Sequence, residues 1–302
     1  MRIGVDLGGS KIEVAAMAPG GEIVVRRRID TPGNYPELLA GLASLVAAVE
    51  AEAGAGARPV GIAMPGSISP ANGLTRNANA PWLNGQPFLD DVAKAFGRPV
   101  RIENDANCFA LSEATDGAAA GAGVVFGVIL GTGCGGGVVV KGEVVKGVNG
   151  IGGEWGHTPL PWPRPDELPF ERDWCGRPGC LETWISGRLG LERWAPAILG
   201  RKATAREIAA AAAAGDGKAQ DCLDLLYDRI ARAFAVVMDI LDPDVIVVGG
   251  GLSNVAPLYD GVRARWAPYV FSDVIRTRLV RNQWGDSSGV RGACWLWREG
   301  EG

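Results

Sequence analysis

Two segments of this chain carry the same local plan, an apolar strand running into a glycine-rich turn and out into a second strand. The first reads Ile3-Gly4-Val5-Asp6-Leu7-Gly8-Gly9-Ser10-Lys11-Ile12-Glu13-Val14, and the second Val128-Ile129-Leu130-Gly131-Thr132-Gly133-Cys134-Gly135-Gly136-Gly137-Val138. Glycine turns of this kind leave backbone N–H groups uncovered and pointing outward, a surface suited to an oligophosphate. Two such hairpins, half a chain length apart, imply a two-lobed protein that holds phosphate from both sides, as a phosphotransferase does.

The glycines at 131, 133 and 136 also satisfy the letters of a dinucleotide fingerprint. That fingerprint works only when a helix follows the turn and aims its N-terminus at the pyrophosphate. Here Gly137-Val138-Val139-Val140-Lys141-Gly142-Glu143-Val144-Val145 follows, a β-branched, strand-like run, which excludes the Rossmann reading. The absence of any Gly-x-x-x-x-Gly-Lys-Ser/Thr run excludes a P-loop.

After the first hairpin the pattern predicts a strand at 22–29, a helix at 35–53 with Leu38, Leu39, Leu42, Leu45, Val46 and Val49 at helical spacing, and a strand at 59–64. A polar loop at 67–87, a helix at 88–96, a strand at 99–103 and a helix opened by Asn104-Asp105-Ala106-Asn107 complete the first half near residue 117. The plan then begins again with the second hairpin. It is interrupted by a Pro-, Trp- and Cys-rich insertion at 157–180 and resumes with a long helix at 219–241, a strand at 245–248, Gly249-Gly250-Gly251, and a helix from Asn254. Two copies of one α/β plan with mixed sheets define the two-lobed actin-like ATPase (ribonuclease H-like) architecture. Its lobes are expected at 1–117 and 118–302, with the last helix packing back on the first lobe, ATP held in the cleft and water expelled on closure.

The composition excludes several alternatives. With 47% hydrophobic residues and a net charge of -4 over 302 residues, the chain is a globular protein without a basic footprint for nucleic acid, and Arg26-Arg27-Arg28 reads as a solvated strand edge. The chain enters a strand directly, with no apolar leader and no run long enough to span a membrane, so a cytoplasmic location and no membrane partner are expected. Cys108, Cys134, Cys222 and Cys294 are scattered among apolar neighbours and read as buried thiols, whereas Cys175 and Cys180 flank a glycine-bearing knuckle.

Phosphoryl transfer to an alcohol asks the protein to clamp the nucleotide, align the hydroxyl and accept its proton. Asp105, at the carboxyl end of a strand and the start of a helix, is the candidate base, the alternative being that it only caps the helix. Asp6, ending the first strand, is placed to orient hydrated Mg²⁺ beside the phosphates. ATP contacts are expected from Asp6, Gly8, Gly9, Ser10 and Lys11 of the first turn, from Gly131, Thr132 and Gly133 of the second, and from Gly249, Gly250, Gly251 and Asn254. The single histidine, His157, precedes Cys175 and Cys180 in the spacing His-x17-Cys-x4-Cys, which offers three zinc ligands inside an insertion with no evident core of its own. Zinc would fold that insertion and hold the imidazole by one nitrogen, leaving the other to a substrate hydroxyl.

At these residues the chain resembles the ROK sugar kinases over essentially its whole length. The resemblance lies in Asp6-Leu7-Gly8-Gly9-Ser10-Lys11, Pro65-Gly66, Asn104-Asp105-Ala106-Asn107, Gly131-Thr132-Gly133-Cys134-Gly135, Glu154-Trp155-Gly156-His157, Cys175-Gly176-Arg177-Pro178-Gly179-Cys180-Leu181-Glu182 and Gly249-Gly250-Gly251. It implies sugar contacts from Asn104, Asp105, Glu154, His157 and Glu182, joined by Gly66 and Asn79, with Asp105 as base. The segments 66–70, 77–79, 82–87 and 285–293 look like those of bacterial fructokinases that also accept mannose.

In one place the chain departs from the pattern. The family's knuckle reads Cys-x-Cys-Gly-x-x-Gly-Cys, and here Asp173 stands at the first cysteine, so the implied site has one nitrogen, two sulfurs and one oxygen from His157, Cys175, Cys180 and Asp173. The reading that follows is an ATP-dependent hexose kinase acting on the 6-hydroxyl of D-fructose. Mannose, glucose or N-acetylglucosamine are alternative acceptors, and a sugar-responsive regulator without catalysis is a remote one. Family habit implies a homodimer.

Overall fold

The computed structural model describes residues 1–298, 300 and 301. The chain forms two compact units that divide at Ala120/Gly121, close to the expected 117. Residues 142–152 and the stretch from Asp286 group with the first unit, and Gly121–Lys141 with Gly153–Gly285 make the second.

The first unit is built on a five-stranded mixed sheet. Its strands are β1 (Arg2–Leu7), β2 (Lys11–Met17), β3 (Ile23–Asp30), β4 (Val60–Met64) and β7 (Val100–Asn104), in the order β3-β2-β1-β4-β7. The loop expected at 67–87 is partly ordered by a two-strand ribbon, β5 (Ser67–Ile68) with β6 (Thr75–Arg76), and a single turn at Pro81–Leu83. Strands β1 and β2 are antiparallel, while β1, β4 and β7 run parallel with Asp6 level with Ala63 and Met64 level with Asn104. The carboxyl ends of three neighbouring strands thus reach one edge together, where ligand sites of open α/β sheets collect.

Helix α1 (Tyr35–Ala53) starts where Asn34 accepts from the Glu37 N–H and stops at Gly54, whose φ of 60° lets it close the last turn. It buries Leu38, Leu42, Leu45, Val46 and Val49. Helix α2 (Phe88–Phe96) ends at Gly97 in the same way, and α3 (Asp105–Thr115) leaves the end of β7. The arginine run is only in part a solvated edge. Arg26 and Arg28 both turn onto Glu13 of the neighbouring strand, which is buried, and Arg27 alone reaches outward to Glu52.

Helix α10 (Ser288–Trp295) packs against β1, β4 and α3 through glycines. A Cβ on Gly61 would lie 1.9 Å from the Ala293 carbonyl oxygen, one on Gly4 2.5 Å from that of Val290, and one on Gly292 1.8 Å from that of Cys108. These are backbone atoms that no rotamer change can move away. Gly292→Ala is therefore expected to cost about 2–4 kcal/mol, seen as a lowered urea midpoint, whereas alanine at the open Gly33 position leaves it nearly unchanged.

The second unit places β9 (Cys134–Val140), β8 (Val124–Leu130), β11 (Val245–Gly249) and β12 (Arg278–Arg281) side by side, while β10 (Glu143–Val144), which follows β9 in the chain, groups with the first unit. Strands β8, β11 and β12 are parallel and β9 is antiparallel to β8. The sequence did not announce β12, an edge strand of four residues with arginine at both ends and one fully buried side chain, Leu279. Helix α8 (Gly217–Leu241) is capped by Asp216 and buries Cys222, Leu223, Leu226, Tyr227, Ile230, Phe234 and Met238 in the core of this unit. Before it come the short helical pieces α4 (Glu182–Ile185), α5 (Glu192–Trp194) and α6 (Pro196–Leu199), then α7 (Ala205–Ala213).

No helix starts at Asn254. Residues Gly251–Asn254 make one tight turn, and α9 (Pro257–Trp266) begins at Pro257, whose missing N–H and fixed φ suit a first helical position. Among the described residues no helix is long and apolar enough to cross a membrane.

Candidate active site

In the first unit the turn after β1 is closed from below. The Gly8 N–H donates to the Lys11 carbonyl at 2.9 Å, and Thr31 donates its hydroxyl to the Gly8 carbonyl at 2.8 Å and its N–H to that of Ser10 at 3.0 Å. The turn's carbonyls are thus occupied, and Gly9, Ser10 and Lys11 stay exposed. The Asn79 side chain lies over Gly9, with Oδ1 3.5 Å from where a Cβ would stand. Gly66 is buried against the backbone of residues 76–78 at φ 79° and uses its carbonyl to accept from Asn104 Nδ2 at 3.1 Å.

Capping of α3 falls to Asn104, whose Oδ1 accepts from the N–H groups of Ala106 and Asn107 at 2.9 and 3.4 Å. Asp105 is the first helical residue, half-buried, with Oδ1 accepting from the Ala106 N–H at 2.8 Å. Behind it Glu103 is buried and accepts from the Asn104 N–H, from Asn107 Nδ2 and from Lys146, a support the sequence did not reveal. Asp6 stands under Gly289 of α10, where a Cβ would meet its carboxylate oxygen at 2.4 Å, so any side chain at that helix position would displace the carboxylate. Burial, and then the neighbouring charges of Asp105 and Glu13, push the Asp6 carboxyl up to about 7. A carboxylate in such surroundings is stabilised by a cation.

In the second unit the turn Gly131-Thr132-Gly133 is closed by a segment that the sequence did not mark. The N–H groups of Gly187 and Leu189 donate to the carbonyls of Gly131 and Thr132 at 2.8 and 3.0 Å. Gly250, at φ 75°, abuts the same turn, since a Cβ there would lie 2.6 Å from the Leu130 carbonyl. Two of the expected nucleotide segments of this unit, 131–133 and 249–251, therefore meet. Asn254 closes its own turn by donating to the Gly251 carbonyl at 3.3 Å and accepts from Arg281.

Residues Glu154 to His157 are held by Trp155, which is buried between Phe126, edge-on at 5.1 Å, and Phe234, stacked at 5.5 Å. A Cβ on Gly156 would lie 2.0 Å from the Cys134 carbonyl, and one on Gly136 2.6 Å from the Trp155 ring. Glycine thus brings this segment against the second hairpin and leaves Glu154 and His157 half-buried on either side. Glu182 is buried at the head of α4. Its Oε2 accepts from the Cys134 N–H at 2.9 Å and its Oε1 from the Trp174 indole N–H at 2.7 Å.

The four expected metal ligands converge. One ligand atom each from His157, Asp173, Cys175 and Cys180 lies within 4.8 Å of the others, with Sγ to Sγ at 3.5 Å and His157 Nδ1 to Asp173 Oδ2 at 3.1 Å. A tetrahedral ion has edges of about this length, so the donor set fits one. Burial, with Cys175 beside it, pushes the Cys180 thiol up to about 12, so a metal must displace protons to bind. Asp173 completes the set in place of the missing cysteine.

The insertion does have an anchor besides this cluster. Glu167 is buried and receives Arg229 Nε at 2.8 Å and Arg232 Nη2 at 2.7 Å from α8, and Arg232 Nη1 donates to the carbonyls of Pro161 and Trp162. Burial pushes Glu167 up, but the hydrogen bonds from Arg232, the Arg164 N–H and Arg229 outweigh it and hold the carboxyl down at about 2. The insertion, which the sequence suggested only a metal would hold together, thus has a buried ion-pair anchor as well.

A repeated α/β unit with a mixed sheet and a glycine turn after its first strand is the actin-like ATPase fold. The chain belongs to the ROK family, whose sequence profile matches residues 2–300. It is 38% identical over 301 residues to the N-acetyl-D-glucosamine kinase of Vibrio vulnificus, covering 98% of this chain and 99% of the relative. Among solved structures it is similar to a ROK hexokinase from Thermus thermophilus, with TM-score 0.86 and 32% identity over 97% of this chain and 96% of that one. A ROK glucokinase from Streptomyces griseus, solved with glucose and AMPPNP, gives TM-score 0.77 and 29% identity over 99% of each chain. The protein is a sugar kinase, a phosphotransferase with a sugar acceptor.

Proposed function

We propose that the protein transfers the terminal phosphoryl of ATP to the 6-hydroxyl of a hexose and that N-acetyl-D-glucosamine is the preferred acceptor. The observation that carries the chemistry is Asp105 at the end of β7, with the capping duty taken by Asn104. In this reading Asp105 accepts the hydroxyl proton, and Asn104, Glu154, His157 and Glu182 take sugar hydroxyls, as carboxylates and amides can. Gly66 and Asn79 join them as sugar contacts. The turns at Gly8–Lys11, Gly131–Gly133 and Gly249–Gly251, with Asn254, hold the phosphates, and Asp6 orients hydrated Mg²⁺.

The acetamido sugar is favoured by the relatives from Vibrio and Yersinia that carry it in their names at 38% identity over nearly whole chains. D-fructose, the acceptor expected from segments 66–70 and 285–293, is the second reading. A panel of hexoses with Mg-ATP, read as kcat/KM, separates them. We expect N-acetylglucosamine to exceed fructose by about tenfold or more, a discrimination within reach of unpaired polar groups in a hydroxyl-binding site. The opposite order restores fructose, and no turnover with any sugar refutes the proposal.

The metal is proposed to be zinc, held by His157, Asp173, Cys175 and Cys180, which leaves His157 Nε2 for the substrate. Elemental analysis is expected to find about one zinc per chain in the wild type and little in Cys180→Ser. Because Glu167 still ties the insertion to α8, stripping the metal should weaken sugar affinity without unfolding the protein. Full sugar affinity in stripped protein counts against the assignment.

A further inference from the structure

We propose that Trp174 is a positioning residue for Glu182, fixing the carboxylate that faces the sugar from the metal knuckle on one side. This rests on the sugar role given to Glu182 above. The indole is 65% exposed, so burial of apolar surface does not explain its place. Its polar edge does. Trp174 Nε1–H donates to Glu182 Oε1 at 2.7 Å, and an indole N–H has no acceptor capacity, so the bond depends on the carboxylate.

The other oxygen of Glu182 is fixed as firmly. It accepts from the Cys134 N–H at 2.9 Å and leans on Gly133, where a Cβ would lie 2.1 Å away, so no other residue could stand at 133 without moving it. A carboxylate bonded at each oxygen cannot turn about its last torsion, and its remaining lone pairs point in set directions. A hydroxyl ligand then meets a preorganised acceptor instead of ordering one.

Where the indole lies is set by its neighbours in the chain. Asp173 and Cys175, on either side of it, both belong to the metal cluster, and the ring meets His157 edge-on at 5.3 Å. The tryptophan is thereby a strut from the knuckle to the turn after β8. Neither the hairpin glycines nor the cysteine spacing reveals it, because a lone tryptophan in a loop carries no linear signal.

Trp174→Phe keeps an aromatic ring at this place and removes the indole N–H together with the fused five-membered ring. The variant is expected to raise the sugar KM about tenfold, the loss of one hydrogen bond to a charged group, with kcat within about twofold and the melting temperature unchanged. A structural role alone would not move KM in this selective way. The bond is also read without turnover, from the indole ¹⁵N–¹H resonance that Trp174→Phe deletes. It should shift in Glu182→Gln and move when N-acetylglucosamine is added. A wild-type sugar KM in Trp174→Phe, or an indole resonance indifferent to Glu182→Gln, overturns the proposal. Should the wild type phosphorylate no sugar, the acceptor reading falls, and the resonance decides by itself whether the strut exists.

Discussion

Asp105→Asn is expected to bind sugar with nearly wild-type affinity and to turn over about 10²- to 10⁴-fold more slowly, the range for losing a positioned general base. The substitution is close to isosteric and spares the helix, because the cap of α3 is the Asn104 side chain and the amide oxygen of an asparagine can still accept from the Ala106 N–H. The loss should therefore appear in kcat, measured in a single turnover, and not in the sugar Kd from calorimetry or in the urea midpoint. A variant that keeps kcat would return Asp105 to a purely structural role, and one that loses sugar binding in proportion would make it a ligand contact rather than a base.

Asp6→Asn should separate activity from stability in opposite directions. In the folded protein burial and the charges of Asp105 and Glu13 raise this carboxyl from 3.8 to about 7. An acid whose folded pKa lies above its unfolded one favours folding while protonated, so its contribution is complete below pH 4 and is lost as pH rises towards 7. Asparagine does not ionise and escapes that loss. The variant is thus expected to match the wild type in stability near pH 4 and to exceed it by about 2–4 kcal/mol at pH 8, from about 1.4 kcal/mol per pKa unit. With Mg-ATP its turnover should fall about 10²- to 10³-fold, as on removal of a preorganised electrostatic partner. Equal stability of the two proteins at pH 8 would mean that Asp6 is ionised at no cost.

Much of this was legible in the chain. The two hairpins, α1 at 35–53, α2 at 88–96 and the body of α8 follow from short-range patterns, and a glycine or a capping side chain stands at one end at least of each helix. The metal cluster was legible because chemistry restricts what four such side chains can do together, and Asp173 could be suspected from a position in a known motif. What escaped depends on distant residues fitting each other. The fit of Gly289 over Asp6, the closing of Gly131 and Thr132 by residues 187–189, and the support of Glu103 by Lys146 are contacts between segments with no shared periodicity. Strand β12 was missed because its pairing with β11, not its own composition, makes it a strand.

The place of α10 has a consequence for biosynthesis. The residues that seal β1, β4 and α3 leave the ribosome after all of the second unit, which runs up to Gly285. The nascent first unit must wait with Gly4 and Gly61 uncovered until the closing helix is made. A truncation before Ser288 is thus expected to yield a chaperone-bound or protease-sensitive chain in which the earlier-made half loses its protection first.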